Sequence, residues 1–172
     1  MKFKPGSSLM IVAVLIFSAV MIQATSGNTK EPITDFGPVG EGGGVTRPGA
    51  VVWMDLLTSN VERAASFYSE VLGWDFRFST DRSYAYATLD GRPVAAIAAY
   101  DEQYDGADGI WIPSISTPGV DEAIAVVTSL GGNVIAPPED LPGRGRYMLI
   151  EDATGAPVML LHANGGDPER IK

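Results

Sequence analysis

The sequence predicts an α+β fold assembled from two tandem copies of one strand–helix–three-strand module. Three observations predict it. A strand-like run rich in β-branched and aromatic residues is followed by an apolar stripe of helical period, and this happens twice. Each stripe is followed by three short strand-like runs. The copies also keep register: Trp53 to Trp111 and Gly73 to Gly131 are 58 residues apart, and Val61 to Val120 and Ala64 to Ala123 are 59 apart. Later, Gly91-Arg92-Pro93-Val94 matches Gly155-Ala156-Pro157-Val158 at an offset of 64, the excess falling in the proline-rich loop expected over 137–144. Each copy leaves one apolar sheet face and one apolar helix face to bury, and pairing the copies buries both.

The chain opens with Lys2 and Lys4 before an apolar run of 14 residues from Leu9 to Ile22, broken only by Ser18. That is too short to span a bilayer, which takes about 20 residues, and it has the pattern of a secretory signal. We expect a signal peptide over 1–26 cleaved after Ser26, with cleavage after Ala24 or an uncleaved membrane anchor as alternatives. Residues 27–48, with Gly42-Gly43-Gly44 and three prolines, read as a flexible linker. The glycine run lacks the lysine and following helix of a phosphate-binding loop.

The domain is expected over 49–164, with modules at about 50–100 and 109–163 and a tail at 165–172. Its first strand is residues 50–57, closed by the capping run Thr58-Ser59-Asn60. A helix over 61–72 follows, because Val61, Ala64, Ala65, Tyr68, Val71 and Leu72 share one face and Gly73 stops it. Three antiparallel strands are expected over 74–78, 83–89 and 93–100, the last two joined at Asp90-Gly91. The second copy repeats the series: a strand over 110–116, a helical face of Val120, Ala123, Ile124, Val127 and Leu130, then strands over 133–136, 146–151 and 156–162.

Composition bounds the function. The chain has no cysteine, so an exported form has no disulfide framework. Removing residues 1–26 takes the net charge from −9 to −11, with 10 basic and 21 acidic residues. Such a surface repels nucleic acid and anionic lipid, so neither is expected as a partner, and no stable membrane insertion is expected once the signal is cleaved.

The run Asp55-Leu56-Leu57-Thr58-Ser59-Asn60-Val61-Glu62-Arg63-Ala64-Ala65-Ser66-Phe67-Tyr68 carries a resemblance, together with Leu72-Gly73-Trp74, Leu130-Gly131-Gly132, Gly145-Arg146-Tyr147 and Glu151-Asp152-Ala153-Thr154-Gly155. Over residues 48–163 the chain resembles the glyoxalase/bleomycin-resistance/extradiol-dioxygenase family, the vicinal oxygen chelate (VOC) superfamily. The resemblance implies a cup-shaped mixed sheet with the helices packed outside. It also implies one divalent metal held by the first and last strands of each module. Here those positions fall on Trp53, on Trp111 or Ile112, on the run Val94-Ala95-Ala96-Ile97-Ala98-Ala99 and on Met159. With one histidine, His162, in the whole chain, these residues do not supply the His, Asp, Glu or Cys ligands that divalent metals take. No cofactor is therefore expected; a divalent metal held by atypical ligands, with Asp55 and His162 as a partial site, is the alternative.

Strand alternation puts Trp53, Asp55 and Leu57 on one face, which the resemblance turns toward the cup. The ligand-binding residues expected are Trp53, Asp55, Trp111, Arg146 and Met159, with Trp74, Phe76, Tyr84 and Tyr86 as further aromatic wall. A buried Asp55 needs a partner such as Arg146 or a raised pKa, and it is the candidate catalytic base. Arg144 and Arg146 together could clamp an anion, and His162 reads as a strand-end surface residue. The expected function is that of a periplasmic or extracellular protein binding a small molecule without a metal, with a homodimer as one arrangement. A glyoxalase-like lyase or isomerase is the first alternative, and a tethered interaction module the second.

Overall fold

The computed structural model describes residues 44–100, 109–141 and 143–168. The expected signal peptide, the linker up to residue 43 and the last four residues of the tail lie outside the described residues. Within them the elements run β1 (Val51–Thr58), α1 (Val61–Leu72), β2 (Asp75–Phe78), β3 (Tyr84–Leu89), β4 (Arg92–Ala99), β5 (Ile110–Ser116), α2 (Ala123–Ser129), β6 (Asn133–Leu141), β7 (Gly145–Glu151) and β8 (Pro157–Ala163). All eight strands join one mixed sheet in the order β2-β3-β4-β1-β5-β8-β7-β6. The β1–β4 and β5–β8 pairs are parallel and the rest are antiparallel. The fold class is the α+β mixed sheet that the sequence predicts.

Local chemistry sets the boundaries of α1. The Asn60 side chain accepts from the Arg63 amide at 2.9 Å, and Gly73 takes the left-handed conformation (φ 68°) while its amide donates to Ser69 O, so both ends are capped. Val61 and Ala65 of this helix bury against Leu56, Ala85 and Ile97. The second helix is shorter than its apolar stripe. Val120 and Ala123 pack with Met148 and Ile150, but Ile124 and Leu130, expected on the buried face, are exposed. At seven residues α2 is too short for its apolar stripe to follow the sheet along its whole length.

Strand β6 corrects the loop expected over 137–144, because pairing continues through Pro137 and Pro138 to Leu141. β6 is the sheet's edge, so one side of each proline needs no ladder partner. The register shifts between Ala136 and Glu139 carry the chain past the two missing N–H donors. At the ends of the domain, residues 44–48, assigned above to the linker, meet residues 165–168, assigned to the tail. Gly44 N donates to Gly165 O and Asp167 N to Val45 O, while the buried Asp167 carboxylate accepts from Arg47 N and from Ser116 Oγ.

Register defines two faces. Directly paired residues share a side, so Tyr86, Ala96, Asp55 and Ile112 form one row across β3, β4, β1 and β5. Trp53, Ser114, Met159 and Leu149 form the neighbouring row across β1, β5, β8 and β7. The apolar members of these rows belong to the largest buried cluster. Arg144, immediately before β7, donates from Nη2 to Tyr84 Oη of β3 at 2.8 Å, although four strands lie between β3 and β7 in the sheet order. The sheet is therefore curled, with this face concave and both helices on the outside.

Candidate functional site

The concave face is largely apolar; besides Glu139 paired with Tyr147 and Arg77 paired with Tyr86, its polar groups lie around one indole. Trp53 stacks on Tyr86 with ring centroids 5.5 Å apart and planes 28° apart. Its Nε1–H donates to Asp55 Oδ1 at 3.1 Å. The Arg144 Cζ lies 4.9 Å from the Trp53 ring centroid and 6.0 Å from that of Tyr86, within the range of cation–π attraction. Asp55 and Arg144 are 7% and 8% exposed.

Burial pushes the Asp55 carboxyl above its ordinary pKa, and the Arg144 charge and the indole N–H offset only part of that. Burial likewise pushes the Tyr84 phenol upward, so it stays protonated. Desolvation works against the Arg144 cation, but Tyr84 and Asp55 outweigh it and the guanidinium remains charged. The site thus combines a permanent cation, a carboxyl whose pKa burial raises and three aromatic rings.

Ser114 completes the set. It is fully buried, and its Oγ is the one buried side-chain N or O atom among the described residues with no hydrogen-bond partner. On its face it is paired with Trp53 on one side and Met159 on the other. The indole N–H is a donor already used on Asp55, and a thioether is a weak acceptor.

The structure places the sequence-predicted residues unevenly. Trp53, Asp55, Met159, Tyr84 and Tyr86 are on the concave face. Trp111 is not. Antiparallel pairing sets Leu56 opposite Trp111 and Asp55 opposite Ile112, so Ile112 faces the concavity and Trp111 faces α1, where its Nε1–H donates to Tyr68 Oη at 2.9 Å. Trp74 and Phe76 share that outer side, Trp74 stacking on Tyr68. Arg146 is likewise displaced from Asp55: it forms a fork with Asp121 at 2.6 and 2.8 Å and reaches Asp140 at 3.2 Å. Arg144 takes the role expected of it. His162 is exposed, with Nδ1 3.0 Å from Thr117 O.

Glycines explain why Arg144 rather than Arg146 reaches the interior. Gly143 and Gly145 have φ of 77° and 136°, conformations closed to most side chains. A Cβ on Gly145 would sit 2.0 Å from His162 O. This tight corner turns Arg144 inward before strand alternation begins.

The concave positions at which the resemblance implies a metal carry an indole, an isoleucine, alanine methyls and a thioether. None is a favoured ligand of a divalent ion. Among the described residues no three His, Cys, Asp or Glu side chains gather as a metal would require. The residues present do not fit that metal.

A sheet in which two strand–helix–three-strand units curl around a common concavity is the architecture of a known superfamily. Residues 50–160 match the model of the Glyoxalase/Bleomycin resistance protein/Dioxygenase superfamily, and the chain belongs to it. It is 36% identical over 123 residues to the Mycobacterium tuberculosis protein named "Putative glyoxylase CFP32", covering 69% of this chain and 47% of that protein. It is 32% identical over 124 residues to the "Anthracycline biosynthesis protein DnrV" of Streptomyces peucetius, covering 63% and 45%. The chain spans about half the length of the curated relatives it matches. A variant of homoprotocatechuate 2,3-dioxygenase from B. fuscum shares the fold with a TM-score of 0.52 at 15% identity, over 73% of this chain and 36% of that one.

Proposed function

We propose that this superfamily member binds a small, partly aromatic organic molecule on the concave face of its sheet without a metal, in the periplasm or outside the cell. The observation that carries the reading is the polar set around Trp53. A buried Arg144 and Asp55 touch one indole, and the unpartnered Ser114 hydroxyl belongs to the residue paired with it across the strands, where apolar side chains stand at the positions of metal donors. Apolar walls with few convergent polar groups are the usual chemistry of a small-molecule site. The export half of the reading rests on Lys2, Lys4 and the apolar run from Leu9 to Ile22.

A thermal-shift screen of aromatic acids, alcohols, amines and hydrocarbons beside divalent metals tests it, because a ligand of the folded state stabilises by mass action. At least one organic class is expected to raise the melting temperature in a concentration-dependent way while no metal does so. A metal-only response would overturn the reading.

A second reading is favoured by Asp55 itself. A carboxyl whose pKa is raised by burial and which touches an indole N–H in an apolar site is a candidate proton-transfer group, which would make the protein a lyase or isomerase. Turnover abolished by Asp55→Asn, with ligand binding retained, selects this reading over simple binding.

A further inference from the structure

We infer that the ligand enters this site through a carboxylate held between the Arg144 guanidinium and the Ser114 hydroxyl, with its flat apolar part against Trp53. The inference rests on the small-molecule reading above and names the ligand class for that same site.

Two independent observations converge on it. The first is the Ser114 hydroxyl. Buried side-chain polar atoms are almost always hydrogen-bonded, and an exception calls for an explanation. Its cross-strand neighbours Trp53 and Met159 offer no competent acceptor, and the hydroxyl is confined to the interior side of β5. A serine there is an unmet donor and acceptor in a wall of hydrocarbon, a position where alanine would pack as well.

The second is the guanidinium of Arg144. It has five N–H donors in a planar fork, and one hydrogen bond, to Tyr84 Oη, engages it among the described residues. It sits over the face of Trp53, while Ser114 is that residue's direct cross-strand partner. The guanidinium therefore lies over the Trp53 ring, and the hydroxyl belongs to the residue paired with Trp53 across the strands on the same face. The charge balance agrees in sign. Arg144 keeps its cation, whereas burial disfavours ionised Asp55. An anionic oxygen is attracted to this site, and an ammonium group would face an arginine. A planar carboxylate matches the guanidinium fork in shape as well as charge.

The test titrates full-length protein with benzoate and with its neutral counterparts benzyl alcohol and toluene, read by tryptophan fluorescence and calorimetry. Benzoate is expected to bind about tenfold or more tightly than either neutral probe, the worth of one charge-assisted hydrogen bond. Ser114→Ala should weaken benzoate binding about fivefold or more without lowering the melting temperature, because the orphan hydroxyl contributes nothing to the empty fold. Arg144→Gln should abolish the preference for benzoate over benzyl alcohol. Should that variant fail to fold, Ser114→Ala decides alone. Equal binding of benzoate and toluene, or benzoate affinity within about twofold of wild type in Ser114→Ala, overturns the inference. Binding of neutral probes alone, or of none of the three, overturns it too; the small-molecule reading falls only with the broader screen.

Discussion

Arg144 and Arg146 are separated by one glycine, yet the sheet gives them opposite tasks. On the convex side Arg146 is half-exposed and holds Asp121 and Asp140 in contact ion pairs. Its hydrogen bonds raise its own pKa and lower that of Asp121, as solvated pairs commonly do without adding much stability. On the concave side Arg144 is buried against Trp53 and Tyr86, with one phenolic hydrogen bond and Asp55 acting on it through space. Charge kept out of water with donors to spare is what the proposed function draws on, whereas the charge of Arg146 is already neutralised at the surface.

Breaking the buried member of this contrast should have the largest effect. Arg144→Ala removes the guanidinium hydrogen bond to Tyr84 Oη, uncovers the Trp53 face and removes the charge that offsets Asp55. A loss of about 3 kcal/mol is expected by chemical denaturation, in the range for unpairing a buried charge. A variant as stable as wild type would mean that the guanidinium is solvated. An intermediate effect should appear in pH dependence. Because burial raises Asp55 from its ordinary value of 3.8, the folded state holds this proton more tightly than the unfolded state. The stability tied to it is fully present below 3.8 and is lost as pH rises through the raised value. Asp55→Asn should remove that slope, so the variant gains on wild type as pH increases; a constant difference across the titration would show that Asp55 is not desolvated. The smallest effect is expected from Arg146→Ala, whose melting temperature should match wild type in high salt, where exposed pairs are screened. A large loss there would show that the convex pairs hold α2 in place.

The same contrast shows where sequence reading succeeds and where it stops. The predicted bounds of α1, residues 61–72, coincide with the helix because a stripe of period 3.6 and two capping residues act locally. Most strands fall within a residue or two of expectation for the same reason. Position on a face is a tertiary property, and a shift of one residue inverts it. The offset of 58 that aligned Trp53 with Trp111 missed by one, and Ile112 faces the concavity instead. Alternation within β7 could not reveal that Gly145, at a φ open to few other residues, turns Arg144 inward. Pro137 and Pro138 read as loop because only the sheet order shows that β6 is an edge. Ser114 carried no signal at all: a serine within a strand is ordinary, and its missing partner exists only once β1, β5 and β8 are side by side.

On the proposed function, the concavity around Trp53 recognises its ligand through Arg144 and Ser114, with Asp55 beside them, rather than through a metal. Elemental analysis of the purified protein after dialysis against a chelator, repeated after incubation with zinc, nickel, iron and manganese salts, tests it most directly. The account predicts metal well below one equivalent per chain in every sample, and unchanged thermal stability. One tightly held equivalent, lost on substituting Asp55, would contradict it.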